Sequence, residues 1–222
     1  MAIVLDIVVW ILLWIIPFGL LSFITKKGIT YNKNYGWLVI FFLFFTLLAG
    51  VYFRDLLKMV DGTFTSIPFV VLVLVYLVTS LAYAFSHKYI QSPSRLIERY
   101  PQQFFIQMDY RYLVSKSFDI LFQQMMILML VLWLSQQGFS LSMTMLFSLL
   151  LFGGVHIFAL IPAGKLFGMY YLIASLLGAV VFPLLVLTVN YGFVYSYALH
   201  FFFYTASAVF FWLFAPKILR EG

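Results

Sequence analysis

Long apolar stretches alternate with short polar ones along this chain, and their length matches a bilayer. A spanning helix needs ~20 mostly apolar residues. Stretches of that kind run over about 3–23, 37–53, 67–86, 113–134, 139–162, 168–189 and 192–214. The pattern predicts an all-α, polytopic transmembrane bundle of about seven helices, forming one domain over 1–222. The first stretch lacks a basic leader and a small-residue cleavage site, which predicts a retained helix rather than a signal peptide. The connection 87–112 stands apart: it carries Lys88, Arg95, Arg99 and Arg111 with Glu98 and Asp109. Phe104, Phe105, Met108 and Tyr112 recur in it at helical spacing, and Ser94 follows Pro93 where a helix cap would stand. A short amphipathic interfacial helix is expected there, with a solvated loop as the alternative.

Composition narrows the class. The chain is 65% hydrophobic and 9% charged, against ~45–50% and ~25% in soluble domains, so a water-soluble fold is excluded and a lipid bilayer is the expected partner. There is no cysteine, which removes disulfides, thiolate nucleophiles and Cys-ligated metals. The net charge of +6 does not point to nucleic acid, because the basic residues sit in connections rather than in one patch. With seven spans, one side holds Lys26, Lys27, Lys33, Lys88, Arg95, Arg99, Arg111, Lys165, Lys217 and Arg220, and the other only Arg54 and Lys58. By the positive-inside rule the N-terminus is outside and the C-terminus cytoplasmic, in a plasma or inner membrane.

Polar groups inside hydrocarbon are costly, so each is a candidate. In the fourth stretch Ser115, Asp119 and Gln123 are four apart and share a face, with Lys116 one turn from Asp119 and Gln124 one step round. The fifth holds Phe152-Gly153-Gly154-Val155-His156, and the seventh holds Ser196, His200 and Tyr204, again four apart. Packing accounts for each stripe alone: an Asp119–Lys116 pair and hydrogen bonds between helices. Two histidines on two helices beside a glutamine pair on a third predict more, a cavity that gathers Gln123, His156 and His200.

These residues resemble the CPBP family, also called the CAAX-protease or Abi family of intramembrane proteases. Its three ordered motifs are E-E-x-x-x-R, then F-x-x-x-H on the next helix, then H-x-x-x-N two helices later. Here they read Gln123-Gln124-Met125-Met126-Ile127-Leu128, Phe152 to His156 in full, and His200-Phe201-Phe202-Phe203-Tyr204, over a core of approximately 95–210. The resemblance implies an intramembrane endopeptidase. In it the first glutamate activates a water, while the histidines and the Asn orient that water and stabilise the oxyanion. The motif positions are thus Gln123, Gln124, His156, His200 and Tyr204.

The departures change the chemistry. A glutamate accepts a proton; a glutamine amide does not, and general-base help is worth ~10²–10⁴-fold in rate. The resemblance with these departures implies a non-catalytic or weakened relative whose polar cavity binds a peptide, lipid or partner helix. One alternative is an active protease using Asp119 with His156 and His200. It needs the attacked water one helical turn lower, about 5.4 Å. A metal on the same three residues needs the same shift, and amides are poor zinc ligands, so neither metal nor cofactor is expected. A transporter or channel is the second alternative, though only Pro17 and Pro183 lie far enough inside a span to break it and no acidic ring is visible. A rhodopsin-like receptor is excluded, since the last stretch has no lysine before Lys217. A reporter fused to the C-terminus is expected to read cytoplasmic; an extracytoplasmic signal would refute the charge argument.

Overall fold

The computed structural model describes residues 2–60 and 66–218. Nine α-helices and no strand occur among them: α1 (Ala2–Lys26), α2 (Tyr35–Tyr52), α3 (Arg54–Leu57), α4 (Ser66–Tyr89), α5 (Ser94–Arg99), α6 (Tyr110–Gln136), α7 (Leu141–Ser148), α8 (Leu160–Thr188) and α9 (Gly192–Ile218). Six of them, α1, α2, α4, α6, α8 and α9, are long and apolar enough to cross a membrane. Most outrun the apolar stretches that predict them, because capped and aromatic flanks continue the hydrogen-bonded spiral into the polar zone. Asp109 accepts from the Arg111 N–H at 2.8 Å and starts α6 ahead of its apolar run. This supplies one of the partners that a helix N-terminus lacks.

The expected fifth span takes a different form. After the short α7 the chain tightens and loosens in turn, with a π-helical stretch at Leu149–Gly153 and a 3₁₀ stretch at Gly154–Ala159. α8 itself is broken at Gly164 (φ 72°, ψ 172°), where only glycine sits without strain. Gly153 is needed for packing: a Cβ there would lie 3.1 Å from Leu176 Cδ2 and 3.4 Å from Ala179 Cβ of α8. This segment still links opposite ends of the bundle. Its start follows the Phe139–Leu134 turn at the end of α6, and its finish leads to Phe167, 4.9 Å ring to ring from Tyr100 at the other end. It is bent rather than straight, and it is not among the six helices long and apolar enough to cross a membrane. Pro17 and Pro183, the residues expected to break a span, lie inside α1 and α8.

α6 is the central pillar. In its most apolar window 83% of residues are buried, against 11–50% for the other five long helices. α2 packs along one side of it, α8 and α9 along another, and α4 lies outside α9. Between α4 and α9, Thr79 and Thr205 hydroxyls meet at 3.0 Å and Tyr76 and Tyr197 hydroxyls at 2.8 Å. α1 is tied to α6 by Trp10 Nε1, which donates to the Met126 carbonyl at 2.8 Å.

The connection 90–109 is not a free loop, and the short helix expected in it is present. It holds α5 and a 3₁₀ turn at Phe104–Gln107, separated from α6 by Met108 at φ 51°. Ser94 is the first residue of α5 rather than its cap; Pro93 takes that place, with no side-chain bond. Leu96, Phe105, Ile106 and Met108 are buried against the bundle. Trp212 Nε1 clamps the segment by donating to the Ile106 carbonyl at 2.6 Å, and Asn32 Nδ2 reaches Gln107 Oε1 at 2.9 Å. The connections carrying Lys33, Arg95 and Arg99 therefore gather at one end of the bundle. Lys217, by its side chain, and Arg220 lie outside the described residues. The native chain has no cysteine, which permits a direct check. Single cysteines at Lys33 or Arg99 should react with a membrane-impermeant maleimide from one side of the membrane, and cysteines at Lys58 or Gln137 from the other. Labelling of all four from one side would overturn the arrangement.

Candidate functional site

The polar stripe of α6 divides between two environments. Asp119 is 1% exposed in side chain and fully engaged. Lys116 Nζ lies 2.6 Å from its Oδ2, the Tyr31 hydroxyl donates to the same oxygen at 2.9 Å, and Gln123 Nε2 donates to Oδ1 at 2.8 Å. Tyr31 comes from the connection between α1 and α2, and Ser115 helps hold it there by donating to its backbone carbonyl at 3.2 Å. Burial, and then the negative charge of Asp119, raise the Tyr31 phenol well above its usual pKa. It therefore reaches the carboxylate as a donor. The Lys116 ammonium also lies 4.5 Å from the Tyr204 ring, a cation–π contact that takes up part of its remaining field.

On the other side of Gln123 is a cavity of about 190 Å³. Gln123, Phe152, His156, His200 and Tyr204 all line it, with α8 supplying much of the remaining wall. The Phe-x-x-x-His segment reaches the cavity because the π-helical turn carries Phe152 and the 3₁₀ stretch carries His156. A π turn inserted in a helix redirects side chains, and such turns concentrate at functional sites. The His156 Nδ1 is 2.9 Å from the Phe152 carbonyl oxygen, one turn back. The His200 ring lies stacked between Phe182, 5.4 Å away, and Tyr204, 5.7 Å away.

Gln124 points elsewhere. It is buried behind His200, with Nε2 2.9 Å from His200 Nδ1 and Oε1 accepting from Ser196 at 2.9 Å. Thus of the six residues singled out by sequence, four share the cavity wall. Gln124 orients one of them, and Asp119 anchors another from outside the wall. The Asp119–Lys116 pair expected as the structural alternative is present. No group of three or more metal-ligating side chains occurs among the described residues. The residue that sequence reasoning missed is Tyr31. It stands in a short polar connection with no periodicity to mark it, and only the fold brings it to Asp119.

Chemically, the cavity wall offers two imidazoles, an amide, the phenols of Tyr171 and Tyr204 and the Ser175 hydroxyl, and no carboxylate among the described residues. Its mouth passes Leu177 of α8 and Leu199 of α9, which are 64% and 46% exposed. Leu199 is seven residues into α9, ~10 Å along the axis, so the opening faces sideways from within the bundle rather than at its end. Compared with protein-family models, with curated proteins and with solved structures, the chain matches none.

The Lys116–Asp119 pair yields a stability prediction. Breaking a buried pair leaves an uncompensated charge and costs about 3–5 kcal/mol, whereas replacing both partners by apolar groups is close to neutral. Lys116→Met should therefore destabilise strongly, and Lys116→Met with Asp119→Leu should regain most of the loss. Unfolding by SDS in mixed micelles measures both. Equal stability of the single and double variants would refute the role given to the pair.

Proposed function

We propose that this chain is a non-cleaving relative of the CPBP family, set in a plasma or inner membrane with its N-terminus outside and its C-terminus cytoplasmic. Its cavity binds a membrane-borne ligand without hydrolysing it. The observation that carries the proposal is the division of the α6 stripe. Gln123, His156, His200 and Tyr204 line one cavity, while Asp119, the acid closest to them in sequence, is held in an ion pair behind the wall. The motif order of the resemblance agrees with side chains that share a wall. Hydrolysis of an amide would need a group there that can take a proton from water, and an amide side chain cannot.

Asp119 is a poor replacement for the missing glutamate. To act as a base it would have to shed Lys116 and Tyr31 and leave an ammonium alone in a buried site, at a cost of several kcal/mol. A transporter is favoured by one feature, the broken segment at 149–164, since unwound backbone often lines a transport path. Here, however, that backbone is engaged. The Phe152 carbonyl takes His156, and the Gly153 carbonyl takes Ser175 Oγ at 3.3 Å.

The test is cleavage of prenylated and transmembrane peptides by the purified protein. Native protein should release no product above background. Gln123→Glu, alone or with Gln124→Glu, should introduce slow cleavage, because the wall then holds a group that can take a proton from water. Robust cleavage by native protein that disappears in His156→Ala would overturn the proposal. Loss in Asp119→Asn, if the variant retains its fold, would move the base to Asp119.

A further inference from the structure

Hydrogen-bond chemistry fixes what the cavity presents. A carbonyl oxygen only accepts, so His156 Nδ1, 2.9 Å from the Phe152 oxygen, carries the hydrogen. In the neutral ring Nε2 is then a bare acceptor. An amide nitrogen only donates, so His200 Nδ1, 2.9 Å from Gln124 Nε2, is bare and its hydrogen is on Nε2. In that orientation Gln124 Oε1 accepts from the Ser196 hydroxyl at 2.9 Å, which shares its one hydrogen with the Phe193 carbonyl at 2.8 Å. A carboxylate only accepts, so the donation from Gln123 Nε2 to Asp119 turns the Gln123 amide oxygen the other way. His156 Nε2, His200 Nε2 and Gln123 Oε1 have no hydrogen-bond partner among the described residues, and the three side chains line one cavity. It therefore offers one N–H donor and two acceptors, with the Tyr204 hydroxyl as an adaptable fourth; the Tyr171 and Ser175 hydroxyls, also in the wall, spend their hydrogens on Gln103 Oε1 and on a backbone carbonyl of Gly153 or Leu172.

Charge narrows the ligand. Among the described residues no Asp, Glu, Lys or Arg lines the wall, and Lys116 and Asp119 behind it neutralise each other. An anionic or cationic head would be buried without a partner, which is strongly unfavourable. The polar wall is also small. Apart from these groups the lining is largely apolar, with Phe152, Val181, Phe182 and Phe203 among it. A peptide brings a new amide with every residue, and most would find nothing to bond here. A hydroxyl brings one donor and two lone pairs on a single atom, which is what the wall can answer. The mouth past Leu177 and Leu199 leaves an apolar tail lying along α8 and α9.

Resting on the non-cleaving reading above, we propose that this cavity holds the hydroxyl head of an uncharged long-chain membrane alcohol, which donates to His156 Nε2 or Gln123 Oε1 and accepts from His200 Nε2–H. Gln124 and Asp119 are positioning residues: one sets the tautomer of His200, the other the orientation of the Gln123 amide.

The test uses the full chain purified in a zwitterionic detergent, with oleyl alcohol, oleic acid, oleylamine, 1-octadecene and an N-acetylated hydrophobic tripeptide amide as probes. Native mass spectrometry and thermal unfolding read binding. Oleyl alcohol should bind once per chain, at least about tenfold more tightly than the other four, and raise the unfolding temperature. His200→Phe and His156→Phe should each weaken oleyl alcohol by about tenfold and leave 1-octadecene unchanged, as loss of one hydrogen bond demands. Nitrogen-15 NMR of the native protein supplies a readout that needs no variant: His156 bare at Nε2 and His200 protonated at Nε2. Protonation of His200 at Nδ1 would mean Gln124 is turned over and the donor is gone, which overturns the proposal. So would equal binding of oleic acid, oleylamine or 1-octadecene, or preference for the peptide amide. Peptide cleavage by the same preparation would refute the non-cleaving reading, and the alcohol series would still report on the ligand separately.

Discussion

The Lys116–Asp119 pair is the constraint around which the interior is arranged. Two opposite charges inside a membrane bundle are tolerable only if they touch and if their remaining valences are filled. Lys116 finds Asp119 at 2.6 Å and the Tyr204 ring at 4.5 Å, and Asp119 finds Tyr31 and Gln123. Each of these partners has a second task. Tyr31 brings the α1–α2 connection against α6, Gln123 and Tyr204 line the cavity, and Tyr204 stacks on His200. Neutralisation of the pair is thus what leaves the cavity polar yet uncharged.

The same logic explains why α6 is central. Any helix with Ser115, Lys116, Asp119, Gln123 and Gln124 on it must turn those groups inward, because lipid cannot bond them. The other long helices need only one apolar face inward and can leave the rest to hydrocarbon, as the exposed Leu74, Leu77 and Leu81 of α4 do. α9 is intermediate for the same reason: Ser196, His200 and Thr205 demand a protein neighbour, while Leu199, Phe210 and Leu213 do not.

Much of this was legible in the chain, and the limits are physical. Apolar length alone locates the six long helices able to cross, since bilayer thickness sets it. Four-residue spacing places Asp119 with Gln123 and His200 with Tyr204, because a helix face repeats at that interval. The bent segment was legible only as an apolar stretch. Hydropathy does not register a π turn, and the glycines at 153 and 164 act through close packing and a positive φ. The interfacial segment was legible as a short helix, though not in its extent, for a related reason. Phe104, Phe105, Met108 and Tyr112 fit a helical period, but Met108 is left-handed (φ 51°), and the spacing is shared by a 3₁₀ turn followed by a new helix. Tyr31 was invisible because its partner is 88 positions away.

The bent segment also settles how an apolar stretch can deliver a histidine to a polar cavity. The π-to-3₁₀ stretch at 149–159 carries His156 with its Nδ1 2.9 Å from the Phe152 carbonyl oxygen. The ring is then held at one nitrogen and open at the other. His200 reaches the same condition by a different route, through the Gln124 side chain rather than a backbone carbonyl. One ring is held by an acceptor and the other by a donor, so the two histidines face the cavity with opposite hydrogen-bonding sense. A pair of identical histidines would have offered two acceptors or two donors and favoured a ligand of one kind. This pair is matched to a group that does both, and the match depends on the glutamine at 124: a carboxylate there would accept from His200 Nδ1 and reverse the sense of the ring.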